Sequence, residues 1–464
     1  MNDLPRLNAD GRGSSRKHDT LSASEAWLAR EGSAMGRVHQ IRFYPLVVAR
    51  ARGCRVWDAD GNEYLDLIGA AGVMQTGYGH PRVVKAIREE LGRVHSTMHC
   101  CYPSPTSIAL AERLKQSFDS PWPTKVWFGT TGSDANDCLA QLLPLATGRQ
   151  RLITFEGAYH GLTSGSAALS GHSAQARILG GGHITKVPYP YCYRCPWGSE
   201  PETCDLPCLR FIDEHILQTV SPGADTAAVI LEAMESDGGD IPAPRRFLRG
   251  LRELCDRYGI WLVFDEVKIG LGRSGTMWAF EQSGASADAI TVGKPLGGGL
   301  PLSAVIARSE LLDQDVLMLH TLAGAPVACA AGLATLAVVS EEGLLQRAAL
   351  VGALLQDGLR ELSNRHQCIG DVRGMGLMVG FELVEDRQTK QPAPLLAARF
   401  VYRCFELGVV VLYCGLHGNV IELTPPLTIG EGEVAQALEV FDRALADVTA
   451  GRFDDGKLAR FSGW

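Results

Sequence analysis

The sequence predicts an α/β fold: a large doubly wound domain around a mostly parallel sheet, plus a smaller α+β domain from N- and C-terminal segments. Three observations carry this expectation. Between Pro81 and Leu345, short apolar runs alternate with amphipathic helical stretches, as a sheet with crossover connections requires. After Ser340 that alternation gives way to a helix-rich stretch with a few isolated strands. The 464 residues are 46% hydrophobic and 21% charged, enough apolar surface for a sizeable core and too little charge for a disordered chain.

Taken in order, residues 1–35 read as a mobile polar tail running into a helical patch at Leu21 to Ala34. Residues 36–80 read as an N-terminal segment that joins the small domain. Within it CRVWDADGNEYLDL predicts two strands around the turn Asp58-Ala59-Asp60-Gly61. Residues 81–340 form the large domain: KVWFGT leads into a helix from Ser133, then come RLITFEG, AAVILEAM, the helix RFLRGLRELCDRYG, IWLVFDEV and DAITVGK. Residues 341–464 form the C-terminal small domain, with DVRGMGLMVGFEL, a helix around Leu395 to Leu407, the strand GVVVLYC and a last helix from Glu431 to Ala450.

The 44 Lys and Arg against 52 Asp and Glu give a formal charge of -8, with no basic run, so nucleic acid is not an expected partner. The first twenty residues lack an apolar signal region, and the longest apolar stretch, around Gly408 to Leu416, is too short to span a bilayer. A cytoplasmic protein without a membrane partner is expected. Thirteen scattered cysteines suit reduced thiols. Four of them, Cys192, Cys195, Cys204 and Cys208, have a spacing compatible with tetrahedral zinc; packing thiols or a local disulfide are the alternatives, and no metal residue is assigned.

Three short segments carry chemistry. Gly129-Thr130-Thr131-Gly132-Ser133-Asp134-Ala135-Asn136 sits where a strand ends and a helix begins, a place for a phosphate, although a Thr there can equally be a plain N-cap. Asp265 ends an apolar strand, where α/β sheets place ligands. Lys294 lies between the strand AITVG and a glycine-rich loop; it can serve as an amine nucleophile, or it can be a solvated loop lysine. Together, a phosphate cradle, a strand-end carboxylate and a loop lysine suit pyridoxal 5'-phosphate.

With those residues in view, the chain from Gly53 to about Ile429 resembles the class III (ω-type) pyridoxal-phosphate-dependent aminotransferases, of fold type I. The matching blocks are VWDADGNEYLDL, GYGHPRVVKAI, TGSDAN, FEGAYHG, FLRGLRELCDRYGIWLVFDEV, GLGRSG, KPLGGGLPLSA, DVRGMGLMVG and GNVIELTPPL. The resemblance implies that residues 81–340 are the cofactor-binding domain and that Lys294 holds the cofactor as a Schiff base. It also implies that Asp265 pairs with the pyridine nitrogen and that Thr131, Gly132 and Ser133 bind phosphate. Tyr159 and Val267 would cover the two ring faces, and Glu232 would lie near the cofactor hydroxyl. Thr321, in HTLAGAP, would reach the partner's phosphate in a homodimer with composite sites.

The sequence departs from that family at one informative place. Where many members carry an Arg for a substrate carboxylate, this chain has Glu422, and Gln141 and Pro144 also stand where relatives usually carry Arg. Glu422 facing the pocket would favour a cationic substrate. The expected function is transamination or epimerisation of a primary amine on such a substrate, an amino sugar or aminoglycoside intermediate of antibiotic biosynthesis. An amino-acid-type aminotransferase or a glutamate-1-semialdehyde-type aminomutase is the alternative, and a non-catalytic binding or regulatory protein on the same fold is the alternative of another class.

Overall fold

The computed structural model describes residues 21–172, 183–461 and 463. Its largest sheet has seven strands in the order Thr124–Gly129, Ser303–Arg308, Ala289–Val292, Trp261–Asp265, Thr226–Leu231, Arg151–Phe155, Ile184–Val187. The five strands from Ala289–Val292 to Ile184–Val187 pair parallel. Ser303–Arg308 is antiparallel to both of its neighbours, so the doubly wound sheet has an antiparallel insertion the sequence pattern did not reveal. Thr226–Leu231, Trp261–Asp265 and Ala289–Val292 are buried along their whole length, because helices cover both faces; hence their mostly apolar sequences.

The helix Arg245–Tyr258 buries Phe247, Leu248, Leu251, Leu254 and Cys255 on one face. It stops at Gly259, whose φ of +60° is costly for any residue with a Cβ. The chain then enters the strand that delivers Asp265.

A second core lies around the sheet Ile369–Met375, Met378–Asp386, Val420–Leu423 and Leu412–Cys414, packed by the helices Leu344–Arg365, Pro394–Glu406 and Glu431–Thr449. Phe381, Phe400 and Phe441 meet at its centre, with ring centroids 5.5–5.9 Å apart. The hairpin read from residues 54–67 is present as Arg55–Asp58 and Glu63–Asp66. Its second strand pairs parallel with Val409–Val410, which ties the N-terminal segment to the C-terminal one. The single strand expected for GVVVLYC is therefore two: Val409–Val410 belongs to the N-terminal sheet and Leu412–Cys414 to the other. A polypeptide that changes sheets must break its ladder, and Val411 is the break.

Of the expected mobile tail, residues 1–20 lie outside the described residues. The remainder includes the helix Ala23–Ala34, capped by Ser22 with Glu25 and held where Asp60 accepts the N–H groups of Ala23 and Ser24 at 2.6 and 3.0 Å. Among the described residues no single helix is long and apolar enough to cross a membrane.

Candidate active site

The carboxyl ends of the parallel strands deliver the chemistry. Asp265 terminates Trp261–Asp265, Glu232 follows Thr226–Leu231, Tyr159 follows Arg151–Phe155, and Lys294 follows Ala289–Val292. This is the edge at which an open α/β sheet presents residues to a ligand.

Asp265 is the most fully engaged of these groups. His160 Nδ1 and Asn136 Nδ2 each lie 2.7 Å from its Oδ2, and the backbone N–H of Val267 donates to Oδ1 at 2.9 Å. Burial acts to raise the carboxyl pKa, but the His160 hydrogen bond and charge, with the other two donors, outweigh it and hold the group below its ordinary value. Asp265 is thus an anion fixed in a dry setting. The same bond holds the buried His160 above its ordinary imidazole value, against a desolvation that acts the other way. The role of Asn136, named in sequence only as the end of the phosphate segment, and that of His160, inside FEGAYHG, come from the fold.

Beside them, the helix Gly132–Thr147 begins with Thr131 as N-cap, its hydroxyl accepting from Asp134 N at 3.2 Å. The plain N-cap role is therefore real, and it leaves Thr131 exposed and Gly132 and Ser133 partly exposed at a helix start. A Cβ on Gly132 would come within 2.6 Å of Val267 Cγ1, and one on Gly293 within 3.2 Å of the same atom. Backbone rather than side chain therefore packs against Val267.

Glu232 joins this group through Tyr159. Its Oε1 accepts the Tyr159 N–H at 3.2 Å, and its Oε2 accepts from the N–H and hydroxyl of Ser236 at 3.1 and 2.6 Å. Burial, followed by the Asp265 charge, pushes its pKa up to about 7.

Lys294 stands in a short 3-10 turn with φ +36°, a conformation uncommon for a side-chain-bearing residue. Desolvation, then the charge of a second lysine, Lys268, lowers its pKa from the ordinary lysine value. Lys268 was not expected from sequence. Its ammonium lies 3.0 Å from Asp237 Oδ1 and 2.6 Å from Glu422 Oε2, and their charges hold it protonated against burial. Glu422 is only 1% exposed. The carboxylate expected to wait for a cationic substrate is thus already paired inside the protein, because the chain supplies its own cation three residues beyond Asp265.

Other sequence readings fall away from this cluster. Gln141 is exposed on its helix, where its side-chain amide donates to Asp137. Thr321 is exposed in the turn before the helix Pro326–Glu341. Cys192, Cys195, Cys204 and Cys208 are free thiols that line one small cavity of about 20 Å³ with Arg246. No three of their sulfurs lie within 4.8 Å of one another, so a preformed tetrahedral zinc site is not present there.

A carboxylate anion for a ring nitrogen, a helix start with hydroxyls for a phosphate, and a buried lysine whose pKa is lowered form one donor set, which fits pyridoxal phosphate. The aminotransferase class-III family model matches residues 37–445, and the chain belongs to that family. It is 37% identical to the leucine/methionine racemase of Thermococcus litoralis, covering 95% of this chain and 99% of that protein. It is 35% identical to the 4-aminobutyrate aminotransferase of Escherichia coli, covering 91% and 98%. An amine transaminase from an uncultivated Pseudomonas species, solved in its pyridoxal-phosphate-bound form, superposes with a TM-score of 0.81 at 30% identity over 94% of this chain and 99% of that one. The protein is a pyridoxal-phosphate-dependent enzyme of the class III aminotransferase type.

Proposed function

We propose that this enzyme removes and returns the proton on the amine-bearing carbon of an amino-acid-type substrate, that is, that it racemises or epimerises it. Bound pyridoxal phosphate supplies an electron sink for the carbon that loses the proton. The observation that carries the reading is the 37% identity to the leucine/methionine racemase over nearly the whole of both chains, with Lys294 and the buried anion Asp265 delivered by adjacent parallel strands. Asp265 would hold a proton on the ring nitrogen, with Asn136 and His160 fixing its orientation. Thr131, Gly132 and Ser133 would hold the phosphate, Tyr159 and Val267 would bound the ring, and Glu232 would face the ring hydroxyl. Lys294 Nζ would carry the cofactor between turnovers, take the substrate proton once released, and give it back.

The expected cationic amino sugar depended on a free Glu422, and Lys268 occupies that carboxylate. An amino acid, the class named in the racemase relatives, takes its place. Lys268 is itself spent on Asp237 and Glu422, so it is not a free cation for a substrate carboxylate, whether that of an amino acid or of a keto acid. Transamination is the second reading, favoured by the aminotransferase names among the relatives. Holoenzyme incubated with single enantiomers of a panel of amino acids in deuterated water separates them. Racemisation predicts deuterated product of both hands with no added keto acid; a strict requirement for 2-oxoglutarate or pyruvate would instead establish transamination.

The same reading includes a homodimer in which Thr321 serves the neighbouring site. Its support is the apolar strip around that residue, where Leu317, Leu319 and Leu322 are 83%, 56% and 59% exposed. The division into residues 81–340 and a small domain drawn from 36–80 and 341–464 rests on the two separate cores and the Leu65–Val409 strand pairing. The thirteen free thiols suit a reducing cytoplasm.

A further inference from the structure

Behind Lys268 lies a group of side chains that the proposed chemistry does not use. Asp240, Cys414 and Glu422 are 0%, 4% and 1% exposed, and one donor atom from each lies within 4.8 Å of the others. Among the described residues this is the one such set of three metal-ligand side chains. Both oxygens of Asp240 and Oε1 of Glu422 are buried without a hydrogen-bond partner. Two carboxylates and a thiol make three ligand side chains.

An unpaired buried carboxylate oxygen is costly, and three in one place call for a cation or a proton. Lys268 does not supply it, because its contacts are Asp237 Oδ1 and Oε2 of Glu422, the oxygen that is not orphaned. Lys268 is the cation in contact with Asp237 and Glu422, and among the described residues no cation contacts the Asp240 carboxylate. Arg373, the nearby guanidinium, donates to the carbonyls of Gly239 and Asp240 and pairs with Asp371 and Glu382, not with the Asp240 carboxylate. The protein also shapes its backbone to bring Asp240 in. Its φ is +51°, and Gly380 faces it, where a Cβ would come within 2.7 Å of Asp240 Cβ.

We propose that Asp240, Cys414 and Glu422 bind one divalent cation of borderline softness, Zn²⁺ or Co²⁺, using one oxygen of the Asp240 carboxylate, Glu422 Oε1 and Cys414 Sγ. Two carboxylates and a thiolate select such an ion over Mg²⁺ or Ca²⁺, and three ligand side chains leave the fourth tetrahedral position to a water. On binding, the Cys414 S–H bond breaks, the metal–sulfur bond forms and the proton leaves to solvent; no electron moves. Glu422 then bridges, with one oxygen on the metal and the other on Lys268. Cys414 ends the strand Leu412–Cys414, Glu422 lies in Val420–Leu423, and Asp240 lies in the loop after Met234–Glu235, so the ion would pin the C-terminal sheet to the loop that carries Asp237. The inference stands apart from the racemase reading, because its test reads metal and not turnover.

The test is elemental analysis of the purified full chain after exposure to Zn²⁺ and exhaustive dialysis in metal-free buffer, repeated with Co²⁺ and its absorption spectrum. The expected result is one ion per chain and a thiolate-to-cobalt charge-transfer band, both retained in Cys192→Ser/Cys204→Ser and both lost in Cys414→Ser and Asp240→Asn. Wild type that binds no ion would overturn the proposal and leave a shared proton between the two carboxylates. An ion kept by Cys414→Ser but lost from Cys192→Ser/Cys204→Ser would overturn it in favour of the four-cysteine cavity. If the Cys414 and Asp240 variants do not fold, the cobalt band in Cys192→Ser/Cys204→Ser decides alone: present, it supports the site; absent, it refutes it.

Discussion

The Lys268 ammonium lies 2.6 Å from Glu422 Oε2, so the carboxylate that marks this chain's departure from its relatives answers to a cation within its own fold. Removing one member of a buried ion pair leaves the other uncompensated, at about 3–5 kcal/mol, and Asp237 remains to soften the loss here. Glu422→Gln and Lys268→Met should each lower stability by roughly 2–4 kcal/mol, with the double variant less destabilised than the sum. Denaturant unfolding of the holoenzyme measures the cycle. Strict additivity would mean that the two side chains act independently.

Gly132 packs its backbone on Val267, and an added methyl would sit 2.6 Å from Cγ1. Gly132→Ala should therefore lower cofactor affinity by displacing the helix start or the ring-facing valine, and Gly132→Ala with Val267→Ala should recover most of it. Titration of apoenzyme with pyridoxal phosphate, followed by its visible absorbance, reads both. Unchanged affinity in the single variant would show that this contact does not shape the site.

The His160–Asp265 bond predicts a pH dependence of stability with a definite sign. His160 is held above 6.5, so its contribution is complete below that value and is lost as pH rises through the higher folded value. Asp265 is held below 3.8, so its contribution is present above that value and is lost as pH falls through the lower folded one. The Tm advantage of wild type over His160→Gln should be greatest between those limits and shrink on the alkaline side. A difference that grows with rising pH would reverse the assignment.

For assembly, Thr321 is predicted to act in the neighbouring site. In mixed dimers of Thr321→Ala and Lys294→Ala subunits, one site should collect both defects and the other neither, so the heterodimer keeps about half of wild-type activity by the symmetry of a twofold dimer. Activity falling well below half would place Thr321 in its own chain's site.

Much of this arrangement is legible in the sequence, because strand ends announce themselves. Asp265 and Lys294 each follow a mostly apolar run, and Thr131 precedes a helix signal, so position alone marks them. The antiparallel strand Ser303–Arg308 was not legible, since a buried apolar run has the same composition in either direction. Lys268 was hidden for a related reason: a lysine in an apolar segment shows no partner until folding brings Glu422, 154 positions away, against it. The pairing of Glu422 is a fact of tertiary contact, and substrate charge read from that residue alone inherits the omission.

The account turns on Lys294 as the residue that carries pyridoxal phosphate, and the nearby Lys268 makes the question sharp. Borohydride reduction of the holoenzyme followed by peptide mass mapping answers it. The reduced cofactor should be found on Lys294, and Lys294→Ala should leave no adduct and no visible band. An adduct on Lys268, or one that persists in Lys294→Ala, would contradict the assignment of the site.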